Sequence, residues 1–173
     1  MQAIRRRCRR DEEGFTLIEL MVVVLIIAIL MAIAIPTFLG ARTRAQDRGA
    51  QADVKNALTS AATLFTDSQN YSSVTVAGLT SAEPNLSFVA AMPGSGDTTN
   101  TVVVSTSAAG TTPANSWITF EVQSASGTCW GASQPANAAT VYFGKASTTC
   151  AATTAVGEPS GWSHGATYSD VTP

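Results

Sequence analysis

The sequence predicts an α+β chain: a long N-terminal α-helix packed on a small antiparallel β-sheet of about four strands. Three observations predict it. Residues 20–39 form an uncharged, mostly aliphatic run. Val54, Leu58, Ala61 and Leu64 or Phe65 continue beyond it at helical spacing, and no proline intervenes between Pro36 and Pro84. Short β-branched words separated by turn residues fill the region after residue 100.

The charges divide the chain. Of ten Lys and Arg, five lie in residues 5–10, four follow the apolar run (Arg42, Arg44, Arg48, Lys55), and only Lys145 lies beyond, where there are six acids. A mildly acidic distal part argues against a nucleic-acid-binding groove, which draws its affinity from phosphate-neutralising cations. The run of 20 residues is about 30 Å long as a helix, enough to cross a bilayer core. It is too long for a signal-peptide apolar region, and it runs on into a charged helical stretch instead of a cleavage site. The arginines before it keep that end cytoplasmic by the positive-inside tendency. The outward end then leads to Cys129 and Cys150. With Cys8 in the basic leader, these two remain an even pair if the leader is lost, which suits a disulfide in an oxidising compartment. Two unpaired core cysteines are the alternative.

Glu19 sits just inside the apolar edge, a few residues after the Gly14-Phe15 step. An intramembrane carboxylate is costly. No Lys or Arg lies in residues 15–41 to offset it. A backbone amine would do so if the chain were cut before Phe15.

The stretch "GFTLIELMVVVLIIAILMAIAIP" resembles the N-terminal segment of type IV prepilins and the related pseudopilins. The resemblance rests on the basic leader ending in Gly14, on Phe15, Thr16, Leu17, Ile18 and Glu19, and on the apolar helix with Pro36, and it covers about residues 5–60. It implies the pilin fold and a peptidase cut between Gly14 and Phe15, with N-methylation of Phe15. It also implies that Glu19 offsets the Phe15 amine of a neighbouring subunit during assembly. The implied partners are further copies of the chain, a prepilin peptidase, and an assembly platform with its ATPase. The membrane holds the precursor, and the filament lies at the cell surface. The alternatives are a pseudopilin of a type II secretion or DNA-uptake machine, and a membrane-anchored binding protein.

The implied organisation is a removed leader (1–14), an apolar transmembrane and assembly helix (15–39), and an amphipathic half (40–67). A connecting loop (68–100), with room for one short strand or helical turn, and a sheet head with a disulfide-bounded end (101–173) follow. The helix is expected over residues 15–67, with Pro36 bending it or letting it melt locally. The strands are expected at 101–106, 116–123, 127–133 and 139–146. Ile118, Phe120 and Val122 alternate with Thr119, Glu121 and Gln123, a half-buried pattern, and "SASG" is the turn of a hairpin. No HExxH, P-loop or GxGxxG-to-helix arrangement appears, and the distal acids stand singly, so no catalytic residues, cofactor or metal are expected. A calcium site built from loop carbonyls, which some pseudopilins have, stays open. The lone His164, in "GWSHG", reads as a loop residue.

Overall fold

A computed structural model describes residues 14–91, 100–107, 112–137, 141–146, 150 and 163–165. The leader with Cys8 lies outside the described residues, as does the segment 92–99 of the connector.

Helix α1 (Leu17–Ser68) is unbroken. Thr16 starts it: the Glu19 amide donates to Thr16 Oγ1 at 3.2 Å and the Leu20 amide to the Thr16 carbonyl at 3.3 Å. This satisfies one of the donors that a helix start leaves over. Gln69, at φ 53°, ends it, its amide still bonded to the Phe65 carbonyl at 2.6 Å. Pro36 does not melt the helix. Its ring nitrogen carries no hydrogen, so one backbone bond is lost. One residue on, the Thr37 hydroxyl shares its proton between the Ile33 and Ala34 carbonyls, at 3.2 and 2.9 Å. The carbonyl deprived of its donor is that of Ala32, so the hydroxyl does not replace the missing bond but back-bonds to the turn beside it.

The chain divides into two units, Met1–Ala41 and Arg42–Pro173, and α1 contributes to both. In the first unit every large apolar side chain between Phe15 and Leu39 is 47–84% exposed. A soluble protein does not leave so long a patch to water. By length and composition this stretch is able to cross a membrane.

The second unit is the head. A single turn at Tyr71–Ser73 and the short helix α2 (Val76–Ala82) follow α1. Among the described residues six strands then pair in sequence order: β1 (Ser87–Val89), β2 (Thr101–Thr106), β3 (Trp117–Gln123), β4 (Cys129–Pro135), β5 (Tyr142–Ala146) and β6 (Ser163–Gly165). All neighbours are antiparallel except β1 and β2, which are parallel. About four strands were expected after residue 100, with one short strand or helical turn allowed in the connector, where β1 lies. The two additional ones are three residues each, too short to carry a period of their own, and they form because a longer neighbour supplies the ladder. His164 therefore lies on a strand and not in a loop.

One sheet face carries Val102, Val104, Ile118, Phe120, Val122, Trp130 and Ala132. It packs on the stripe Ala50, Val54, Ala57, Leu58 and Ala61 of α1, closed by Leu79, Leu86 and Phe88. Tyr71 fastens the helix end to the sheet. Its amide donates to Ser116 Oγ at 3.0 Å, and its ring stacks on Phe65 with centroids 4.4 Å apart. Strand β3 is not half-buried as its alternation suggests: Thr119 and Glu121 are buried too. The second sheet face is itself covered, with Val103, Cys129 and Cys150 forming a small core there beside Val89. The hairpin between β3 and β4 turns on Gly127, at φ 90°, a conformation that only glycine adopts without strain. Its turn closes through Gly127 N–H to the Ser124 carbonyl at 2.9 Å.

Candidate functional site

Three places in the described residues carry chemistry: the start of α1, the cysteine pair, and a cleft beside Asp53.

At the first, Gly14 stands in open space ahead of the helix. A Cβ there would meet nothing within 4 Å, and the backbone is not in the left-handed region. The monomer's own fold places no demand for glycine at this position. Phe15 is 84% exposed, and Glu19 is exposed in the first turn of α1. Among the described residues no side chain pairs with the Glu19 carboxylate. Thr16-Leu17-Ile18-Glu19 has the T-x-x-E order of a capping box, a signal the sequence reading passed over. Only the Thr16 half of the box is made. Glu19 is still well placed for the monomer, since a negative charge in the first turn is favoured by the helix dipole. Pro36 lies further along the same helix and is not brought near this cluster in the chain.

At the second, Cys129 at the start of β4 and Cys150 form a disulfide, with Cα atoms 5.4 Å apart and a sequence separation of 21. Both are buried. The Glu121 carboxylate and the two sulfurs lie within 4.8 Å of one another, but oxidised sulfurs offer no thiolate to a metal. The bridge ties the covered face of the sheet. Closing a loop of this length contributes about 3 kcal/mol in the chain-entropy view. Reduction is therefore expected to lower the head's unfolding free energy by about that amount while the chain stays in the membrane. Denaturant titration of the detergent-solubilised full chain, with and without reductant, measures this. Free thiols at both positions in the exported protein would contradict it.

At the third, Gln46, Gly49, Ala50 and Asp53 of α1 face Asn100, the β3 end residues Val122 and Gln123, and the turn residues Ser124 and Ala125 across a cleft of about 160 Å³. At its rim the Ser126 hydroxyl donates to the Asp47 carboxylate, which tethers the hairpin to α1. Burial pushes the Asp53 carboxyl above its ordinary value. Among the described residues no hydrogen bond reaches the Asp53 carboxylate. A raised carboxyl pKa means that the fold favours the protonated form. The contribution is complete below the unfolded value of about 3.9 and is lost as pH rises through the folded value. Asp53→Asn is thus expected to stabilise the solubilised monomer slightly at neutral pH and to flatten the fall in its stability as pH rises above about 4. The gain is a fraction of a kcal/mol, because water still reaches the group. Denaturant midpoints at pH 4 and pH 7 check both.

The family described as the prokaryotic N-terminal methylation motif matches residues 9–35. The chain is 41% identical over 83 residues to the type IV wide pilus major component PilA4 of Thermus thermophilus, a match covering 46% of this chain and 63% of that one. It is 46% identical over 59 residues to the type IV major pilin protein PilA of Myxococcus xanthus, covering 34% of this chain and 27% of that one. The chain thus spans less than two thirds of the length of either relative. No solved structure matches. A methylation-motif helix joined to a small α+β head defines the class of pilin-like proteins. The chain carries the methylation motif over residues 9–35 and is similar over part of its length to these two type IV pilins.

Proposed function

We propose that this chain is the structural subunit of an extracellular type IV pilus-like filament, a pilin that polymerises through its apolar helix. The observation that carries the reading is the all-round exposure of the large apolar residues from Phe15 to Leu39, at the head of which stand Gly14, Phe15 and Glu19. A prepilin peptidase cuts between Gly14 and Phe15, and the Phe15 amine is then N-methylated. That Gly14 answers to no need of the monomer's fold supports a reader outside the chain, for which a residue without a Cβ gives close access to the backbone.

Before the cut, the leader lies in the cytoplasm and residues 15–39 span the cytoplasmic membrane. After it, the same helices leave the lipid for the centre of the filament and exchange lipid contacts for one another. An assembly platform and its ATPase drive the transfer. In that apolar setting the Phe15 amine and the Glu19 carboxylate are each expensive alone. Paired between neighbouring subunits they lose much of that cost and fix the register. The disulfide-braced head, residues 101–173, faces outward with its connector 68–100. Both relatives are major pilus subunits by name, which favours a pilin over a secretion or DNA-uptake pseudopilin.

Electron microscopy of sheared cells, labelled with an antibody against the head, tests the reading. Long labelled filaments are expected. Label confined to the envelope, with no filaments, would replace the pilin by the pseudopilin.

A further inference from the structure

Helix α1 presents two unlike surfaces in its head-borne part. On one side lies the cleft with Asp53, whose carboxylate is partly desolvated and meets no cation among the described residues. Other acids of the head are differently placed. Asp47 accepts the Ser126 hydroxyl, Glu83 accepts from Asn85 Nδ2, and Asp67 is exposed to solvent. On the other side stand Arg44 and Arg48, both exposed. At about 100° per residue they lie roughly 180° and 140° around the helix from Asp53. Neither meets a carboxylate among the described residues.

We propose that the Asp53 cleft is a socket for the guanidinium of Arg48 or Arg44 of a second copy of this chain. The proposal rests on the homopolymer reading above and adds the contact that sets the stagger between copies.

The chemistry of the socket fits this occupant. A guanidinium has five donors and no acceptor, and it takes a carboxylate in a planar fork. Around Asp53, Gln46, Asn100 and Gln123 line the cleft, and each amide side chain carries a carbonyl acceptor for the same group. A second carboxylate, which a divalent cation would want, is absent from the lining. The burial that raises the Asp53 pKa in the monomer is the penalty that an arriving cation removes.

Geometry then decides the kind of assembly. Socket and plug lie on opposite sides of one helix, so each copy uses one to bind the copy before it and the other to bind the copy after. Such a heterologous contact does not pair off into a closed dimer, and where the rotation does not close it builds an open helical fibre. Asp53 lies five and nine residues beyond Arg48 and Arg44. For parallel helices the contact therefore sets an axial stagger between neighbours of roughly 8–14 Å at about 1.5 Å per residue.

The test uses the full chain in filament-forming cells. Asp53→Arg is expected to lower sheared-filament yield about tenfold or more, as is Arg44→Asp with Arg48→Asp. The three changes together restore it, because the charges are exchanged and not removed. Independently, a chain carrying Asp53→Cys and Arg48→Cys is treated with a short bis-maleimide. A ladder of dimers and higher species is expected, with none from either single variant. Normal filament yield from Asp53→Arg, or filaments from the double-cysteine chain that give no ladder, would overturn the socket and leave the homopolymer standing. Absence of filaments from the unsubstituted chain would take down both.

Discussion

Glu19→Ala is expected to leave the chain inserted and cut at its normal rate, with sheared-filament yield falling to background. Two roles for Glu19 compete, and the structure makes them separable. In the monomer it occupies the third position of α1, where its amide bonds Thr16 Oγ1 and its charge suits the helix dipole. That role is worth at most about 1 kcal/mol at a helix end. In a filament core with no other charge, an unanswered amine costs several times more. Glu19→Gln distinguishes them, because glutamine retains the length, the polarity and the capping-box competence of glutamate but not its charge. If the charge is what assembly needs, Gln fails as Ala does. If Gln assembles normally, capping explains the residue and the pairing with Phe15 is wrong. Immunoblots of sheared filaments against total membrane protein read both outcomes, and precursor size on the same blot confirms that processing was untouched.

The second large effect belongs to the head. Phe120 is fully buried on β3, edge-on to Phe88 with ring centroids 6.3 Å apart, at the middle of the face that covers α1. Phe120→Ala is expected to cost about 3–5 kcal/mol, the sum of lost transfer and of the cavity left behind. A domain of this size has only about 5–15 kcal/mol in total, so the head should be largely unfolded near its former midpoint temperature. The apolar helix, outside that core, should still insert. Near-ultraviolet circular dichroism of the solubilised chain on heating measures the loss. A melting temperature within about 2 °C of the parent would mean that the site collapses around the change, against the packing described.

The long helix was legible to within two residues at its start and one at its end, because apolar composition and helical spacing agree over its whole length. The strand at 101–106 appears at its expected bounds, and the next three to within about three residues, since each is a β-branched or aromatic word between turn residues. What stayed hidden was set by contacts. Ser87–Val89 becomes a strand because Thr101–Thr106 offers a free edge to it. Ser163–Gly165 becomes one because Tyr142–Ala146 does. Neither reads as a strand alone. The burial of Thr119 and Glu121 follows from the second covered face around Cys129 and Cys150, which no alternation pattern can announce.

At the helix start, the junction residues stood out because their chemistry clashes with an apolar run. The Thr16 cap did not, although its T-x-x-E order is in plain sequence, because a carboxylate at the edge of an apolar run outweighs a threonine as a signal. The Asp53 cleft has no sequence signal. It exists only where Asn100 and the turn after β3 come up against α1.

Mass spectrometry of the N-terminal peptide from sheared surface filaments bears most directly on the central claim. The expected product begins at N-methylated Phe15, with Gly14 and everything before it gone. A surface protein that still carries its arginine-rich leader would contradict the claim and leave a membrane-anchored protein that does not polymerise in this way.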